Sequence, residues 1–127
     1  MLIQRFSASS SKYEYGCDLR RLYPWPDTAS PSWGSAIATV RPGEATTAHA
    51  HDELETFIVL NGAGAMQIGH ETEELSAGDV VLIPRNTVHS FRNSSLSEPL
   101  TFITIFWDSP EARAHMAAIL KEQQQDL

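Results

Sequence analysis

The stretch HAHDELE, residues 49–55, gathers two histidines two apart and a glutamate four beyond the second. In a half-buried strand such a run is costly, because imidazole and carboxylate groups shed water only when something replaces it. Successive side chains of an extended strand alternate faces, so His49 and His51 point the same way and Glu55 can rejoin them after a short turn or bulge. A further histidine, His89, lies in the run NTVHSF after the buried-looking DVVLIP, where an antiparallel neighbour could bring it across. Neutral imidazole nitrogen and carboxylate oxygen suit a divalent first-row metal, with bonds of ~2.0 to 2.2 Å for zinc. Three histidines and one acid would leave open positions on such a metal for water or substrate. The spacing alone keeps a second reading in place, since strand histidines are often merely exposed.

Other polar residues near these four have plainer readings. Asp52 and Glu53 belong in a solvated turn between the two halves of the run, rather than behind a ligand as partners that hold its tautomer. Arg85 and Asn86 precede His89 and read as turn residues more readily than as contacts for an anion. His70 reads as a solvated turn histidine, His115 as a helix-boundary residue and Cys17 as a small packed one.

These groups need a frame to hold them. From Gly34 onward short β-rich runs recur between Gly, Pro and Asn: SAIATV, ETFIVL, GAMQIG, DVVLIP, TVHSF and TFITIFW. That spacing predicts a sandwich or barrel. NGAG at 61–64 and IGHET at 68–72 carry glycine where hairpins need positive φ. Residues 1–33 are expected to form an arm and loop, with turn formers in SASSS and in YPWPDTASPSW. Ser109-Pro110 caps a helix predicted over 109–124, with Ala112, Met116, Ile119 and Leu120 on one stripe. Phe57, Val59, Phe91, Phe102, Ile105 and Trp107 are the predicted packing residues. Tyr23, Trp25 and Trp33 could cover the mouth of a barrel or form a dimer contact.

The 127 residues suit one domain over 1–127, and 42% apolar with 20% charged residues is ordinary globular composition. A formal net charge of −7 argues against a nucleic-acid partner, which clustered Lys and Arg would hold. The one cysteine cannot make an internal disulfide and fits a reducing compartment. No stretch approaches the ~18 apolar residues of a membrane span, and the opening MLIQRFSASSS lacks the apolar core of a secretion signal, so a cytoplasmic protein is expected.

Over residues 34–107 the chain resembles the cupin superfamily. The first cupin motif, G(X)5HXH(X)3-4E(X)6G, is matched at every fixed position by Gly43, His49, His51, Glu55 and Gly62. The second, G(X)5PXG(X)2H(X)3N, is matched by Gly78, Pro84, His89 and Asn93, and departs at Asn86, where glycine is usual. Asn tolerates the left-handed conformation that a tight turn asks for. The resemblance implies an all-β jelly-roll barrel, or double-stranded β-helix, with a short C-terminal α-helix. It implies that His49, His51, Glu55 and His89 hold one divalent ion, zinc or iron ahead of manganese or nickel. It further implies a metal-dependent enzyme acting on a small molecule, with Glu55 as ligand or base, or else a non-catalytic binding module. A narrower resemblance of RRLYPWPD and the closing FWD is to cupin domains that work beside a methionyl-tRNA-synthetase-like ligase. There a zinc cupin rearranges an amino-acid ester of an N-hydroxylated amine to a hydrazine. A homodimer is expected, since segments such as FSASSSKYEY could add a strand to a neighbour's edge.

Overall fold

The computed structural model describes residues 1–5, 7, 10–23, 25 and 31–125. Nine strands and a helix follow in order: β1 Lys12–Glu14, β2 Cys17–Tyr23, β3 Trp33–Val40, β4 Leu54–Asn61, β5 Ala63–Ile68, β6 Glu71–Ser76, β7 Val80–Ile83, β8 His89–Arg92, β9 Leu100–Trp107 and α1 Pro110–Gln125. They form a six-stranded sheet, β1-β2-β3-β9-β4-β7, and a three-stranded sheet, β6-β5-β8. The two sheets face each other as a jelly-roll barrel. No helix among the described residues is long and apolar enough to cross a membrane.

Period-two alternation decides what fills the barrel. On β4 Glu55, Phe57 and Val59 are buried, while Leu60 faces out and is exposed; on β9 the buried set is Leu100, Phe102 and Thr104. β3 contributes Ala36, Ala38 and Val40, and the smaller sheet adds Met66 and Phe91. Phe102 lies with its ring centroid 4.3 Å from that of Phe57 and 5.3 Å from that of Phe91, an aromatic knot at the centre of the core.

The predicted strands all form, and several expectations need correction. Residues 1–33 are more than arm and loop, because β1 and β2 extend the larger sheet through antiparallel pairing with each other and with β3. Most of the Pro-rich segment between Tyr23 and Ser32, and part of SASSS, lies outside the described residues. NGAG makes no hairpin: β4 pairs with β7 and β9, β5 with β6 and β8, so Gly62 carries the chain from one sheet to the other. With φ +85 and the Pro99 carbonyl 2.5 Å from where a Cβ would stand, this corner has room for glycine alone. β6 (ETEELS) was not anticipated, because Glu71, Glu73 and Glu74 are exposed on this edge strand and it carries no apolar alternation. The IGHET hairpin does form, with Ile68 opposite Glu71.

Helix α1 begins as expected, with Ser109 Oγ accepting from the Ala112 amide at 3.1 Å. Its stripe is only half used: Ala112 and Ile119 are partly buried, whereas Met116 and Leu120 stay exposed. Ion pairs supply part of the attachment. Arg113 donates to Asp52 at 2.8 Å and to the Asp108 carbonyl at 2.8 Å, while Arg85 donates to the same carbonyl at 2.7 Å. Asp52 and Arg85 are therefore struts between the barrel and α1, and not simply solvated turn residues.

Candidate metal centre

Each candidate ligand is delivered by a different local device. His49 and His89 face each other across an isolated antiparallel bridge, exchanging two backbone hydrogen bonds of 3.3 and 3.0 Å. His51 ends the same extended segment, and its carbonyl accepts from the Asn86 amide at 2.8 Å. Asn86 has φ +56, the left-handed conformation expected of it, and so turns the chain toward His89. After the turn at Asp52 and Glu53, Glu55 returns on the inward face of β4.

The three imidazoles converge, with one nitrogen from each of His49, His51 and His89 within 4.8 Å of the others. Glu55 Oε1 lies 2.9 Å from His51 Nε2 and 3.3 Å from His89 Nε2, so the carboxylate reaches two of the three rings. Backbone carbonyls fix two of the rings. His49 Nδ1 bonds the Thr47 carbonyl at 2.7 Å and His89 Nδ1 bonds the Thr87 carbonyl at 3.0 Å, so both carry the proton on Nδ1 and keep the Nε2 lone pair for a ligand role. His89 is 2% exposed, and its Nε2 has no hydrogen-bond partner, being near Glu55 but outside hydrogen-bond geometry. A buried nitrogen left in this way fits a cation seated among the rings.

Electrostatics agree with that fit. Burial works to raise the Glu55 carboxyl, but the rings of His89 and His51 and the hydroxyl of Thr104 outweigh it and hold Glu55 below the ordinary glutamate value. Burial works to lower His89, yet the Glu55 carboxylate and the Thr87 carbonyl outweigh it and hold the ring above the ordinary histidine value. Thr104 Oγ1 donates to Glu55 Oε2, while its own carbonyl accepts from Ser35 Oγ at 2.9 Å. Thr104 was not anticipated, although a polar residue between Phe102 and Phe106 on an inward parity is a readable signal. Asn93, from the second motif, holds no ligand: its Nδ2 donates to the carbonyls of Val40 at 3.0 Å and Glu98 at 2.8 Å, closing the loop before β9.

The centre opens into a cavity of about 480 Å³. Phe57, Phe102 and Phe106 line it, with Ala36 and Ala38 leaving space beside them. Tyr15, Cys17, Leu19, Arg21 and Tyr23 come from the β1–β2 hairpin, a wall that the expectation of an arm overlooked. Tyr23 lines the cavity and meets Trp33 at a tilted 58°, with centroids 4.7 Å apart, while Trp33 itself lines a separate hollow beside α1. Glu53 faces the cavity too, and burial pushes its carboxyl up, contrary to a freely solvated turn. Cys17 is buried as expected, and burial raises its thiol to about 11, which keeps it unreactive at neutral pH. His70 and His115 are exposed and stand apart from the cluster.

Comparison with known proteins agrees with this architecture. The family described as "Cupin domain" matches residues 36–106. The solved structure of plu4264 from Photorhabdus luminescens is 31% identical, covers 95% of this chain and 98% of its own, and superposes with a TM-score of 0.81. Protein SchB of Streptomyces halstedii is 37% identical over 81 residues, 62% of this chain and 58% of SchB. A 5-nitrosalicylic acid 1,2-dioxygenase from a Bradyrhizobium species is 19% identical over 93 residues, 65% of this chain. The chain thus spans 58% of SchB and 45% of the dioxygenase.

Proposed function

Because the chain belongs to the cupin domain family, which matches residues 36–106, we propose that it is a metal-dependent enzyme acting on a small molecule at a centre of His49, His51, His89 and Glu55. Zinc or iron is the ion. The observation that carries this reading is the convergence of three imidazoles, two with Nδ1 tied to backbone carbonyls, beside a buried carboxylate at the base of an apolar cavity. The ion, when bound, supplies Lewis acidity toward an oxygen or nitrogen donor of the substrate. Thr104 orients Glu55, whose carboxylate can take a proton from a bound molecule as well as hold the ion. Phe57, Phe102 and Phe106 exclude water from the floor and strengthen every polar interaction made there. A relative named as a dioxygenase of a small aromatic acid supports a small organic substrate.

The test begins with metal analysis of protein purified without added metal. A stoichiometric ion, together with turnover of a small organic acid or phenol that is lost in His49→Ala, supports the enzyme. Binding without turnover points to a capture module, and a zinc-only preparation removes oxygen chemistry. The Thr104→Val variant is expected to keep the fold and to lose about tenfold in zinc affinity, since partners that orient ligands are typically worth ~10 to 100-fold. Competition with a chelator measures it, and an unchanged affinity would remove Thr104 from the site.

The pH dependence has two opposing parts. His89 is held above its ordinary value of about 6.5, so the stability it contributes is complete below that value and is lost as pH rises through the folded one. Glu55 is held below its ordinary glutamate value, so its contribution is present above that value and is lost as pH falls through the folded one. The pair therefore supports the metal-free fold fully between the two ordinary values, and progressively less toward either folded one. Metal needs neutral imidazoles, and zinc affinity is expected to rise with pH by about tenfold per unit for each proton displaced. Melting curves with and without zinc from about pH 5 to about pH 8 should diverge as the histidines lose their protons. A zinc-induced shift of constant size over that range would contradict histidine ligation.

A further inference from the structure

Resting on the metal-centre reading above, we propose that the β1–β2 hairpin is the specificity wall of the centre, where Tyr15 and Arg21 select a small planar ligand bearing an anionic group. Glu14 pairs with Cys17, so Tyr15 and Gly16 form a two-residue loop. Both have positive φ, +55 and +78, as a type I′ turn requires. Asn, Asp or Gly is the usual first residue of such a turn, and a bulky aromatic there is strained. The turn's own bonding gives no reason for tyrosine, because the contact it makes, Thr47 amide to Tyr15 carbonyl at 2.8 Å, is open to any residue. What the strain achieves is the place of the ring. It lies 5.7 Å, centroid to centroid, from the ring of His49 at an interplanar angle of 37°, and it lines the cavity over the metal cluster. Local strain that persists beside a site is characteristic of positions held for function.

The strand that follows completes the wall. Alternation along β2 turns Cys17, Leu19, Arg21 and Tyr23 into the cavity, beside the small side chains of Ala36 and Ala38 on the paired strand β3. Arg21 is the only arginine or lysine among the described lining residues. Glu14 engages its Nη1 and so holds the guanidinium at the wall. A guanidinium has five donors in a rigid fork, so others remain for a carboxylate-like anion. A flat ligand can therefore coordinate at the histidines, stack along Tyr15 and place its negative group at Arg21.

The test uses the zinc-loaded full chain with pyridine-4-carboxylate as probe, a flat ligand whose ring nitrogen and carboxylate lie too far apart to chelate one ion. Binding is followed by calorimetry, alongside zinc content and Tm. Tyr15→Asn is expected to bind the probe about tenfold more weakly, the loss of one aromatic contact, while its Tm stays at or above that of the parent. Tyr15→Phe should bind as the parent does, because the ring rather than the hydroxyl acts. Arg21→Met should bind pyridine-4-carboxylate about tenfold more weakly, the loss of one charged hydrogen bond, and the neutral pyridine-4-methanol unchanged. The proposal is overturned if Tyr15→Asn lowers Tm without changing probe affinity, if Arg21→Met weakens both probes alike, or if the zinc-loaded parent takes no probe. A parent chain that retains no zinc would instead defeat the metal centre itself, and the inference with it.

Discussion

Replacing His49 by alanine is expected to cost the protein its metal: zinc affinity should fall by at least about 100-fold, the upper end of what even indirect partners of a ligand contribute. The loss should be specific. His49 is half-buried at the mouth, and its side chain bonds only the Thr47 carbonyl among its described hydrogen bonds, so its removal leaves the packed core untouched. His89 is 2% exposed and lies deeper, so His89→Ala would mix lost coordination with a cavity. A ligand that binds only the folded state stabilises it by about 2.7 kcal/mol at ~100 times its Kd. Zinc should therefore raise the Tm of the parent chain and leave that of His49→Ala nearly unchanged. Metal content after dialysis against a weak chelator gives an independent reading. A variant that still carries a full equivalent of zinc would show that the histidine cluster does not hold the ion.

Phe102→Ala should produce the largest loss of stability, about 3 to 5 kcal/mol. Its ring is 2% exposed and packs against both Phe57 and Phe91, so it joins the two sheets and also forms the floor of the cavity. Domains of this kind commonly have only about 5 to 15 kcal/mol in total, which would leave the variant close to unfolding at moderate temperature. Urea denaturation monitored by tryptophan fluorescence measures the change. Phe102→Leu, which keeps much of the volume, should lose considerably less and should still bind zinc. A loss below about 1 kcal/mol for the alanine variant would mean that the core collapses readily around the gap, and that the aromatic knot is not the element joining the sheets.

The candidate ligands were legible because their arrangement follows from local backbone geometry. The two-residue spacing of His49 and His51 has only one meaning in extended chain, and Asn86 is one of the few side chains that enters a left-handed turn readily. The inward parity of Phe57, Val59, Phe91 and Phe102 and the Ser109 cap are equally local and found as expected. Ile105 and Trp107, expected among the same packing residues, instead fall on the opposite parity of β9 and are only partly buried beside α1. The bridge between His49 and His89 needed only an antiparallel neighbour, which the order of the strands made available.

Tertiary structure alone decided the rest, because sheet membership is a non-local property. Lys12–Glu14 and Cys17–Tyr23 carry too little apolar pattern to announce strands; pairing with β3 makes Cys17–Tyr23 the cavity wall, and Lys12–Glu14 pairs in turn with that strand. ETEELS is a strand because β5 lies beside it. Gly62 turns the chain between sheets, where its letters suit a hairpin equally well, since glycine records that positive φ is needed but not where the chain goes next. The hydroxyl of Thr104 on Glu55, and the struts from Asp52 and Arg85 to the helix, join residues far apart in the chain. Short-range spacing could thus declare which groups are able to bind a metal, whereas which wall faces them, and what ligand that wall admits, depended on strands brought together only by folding.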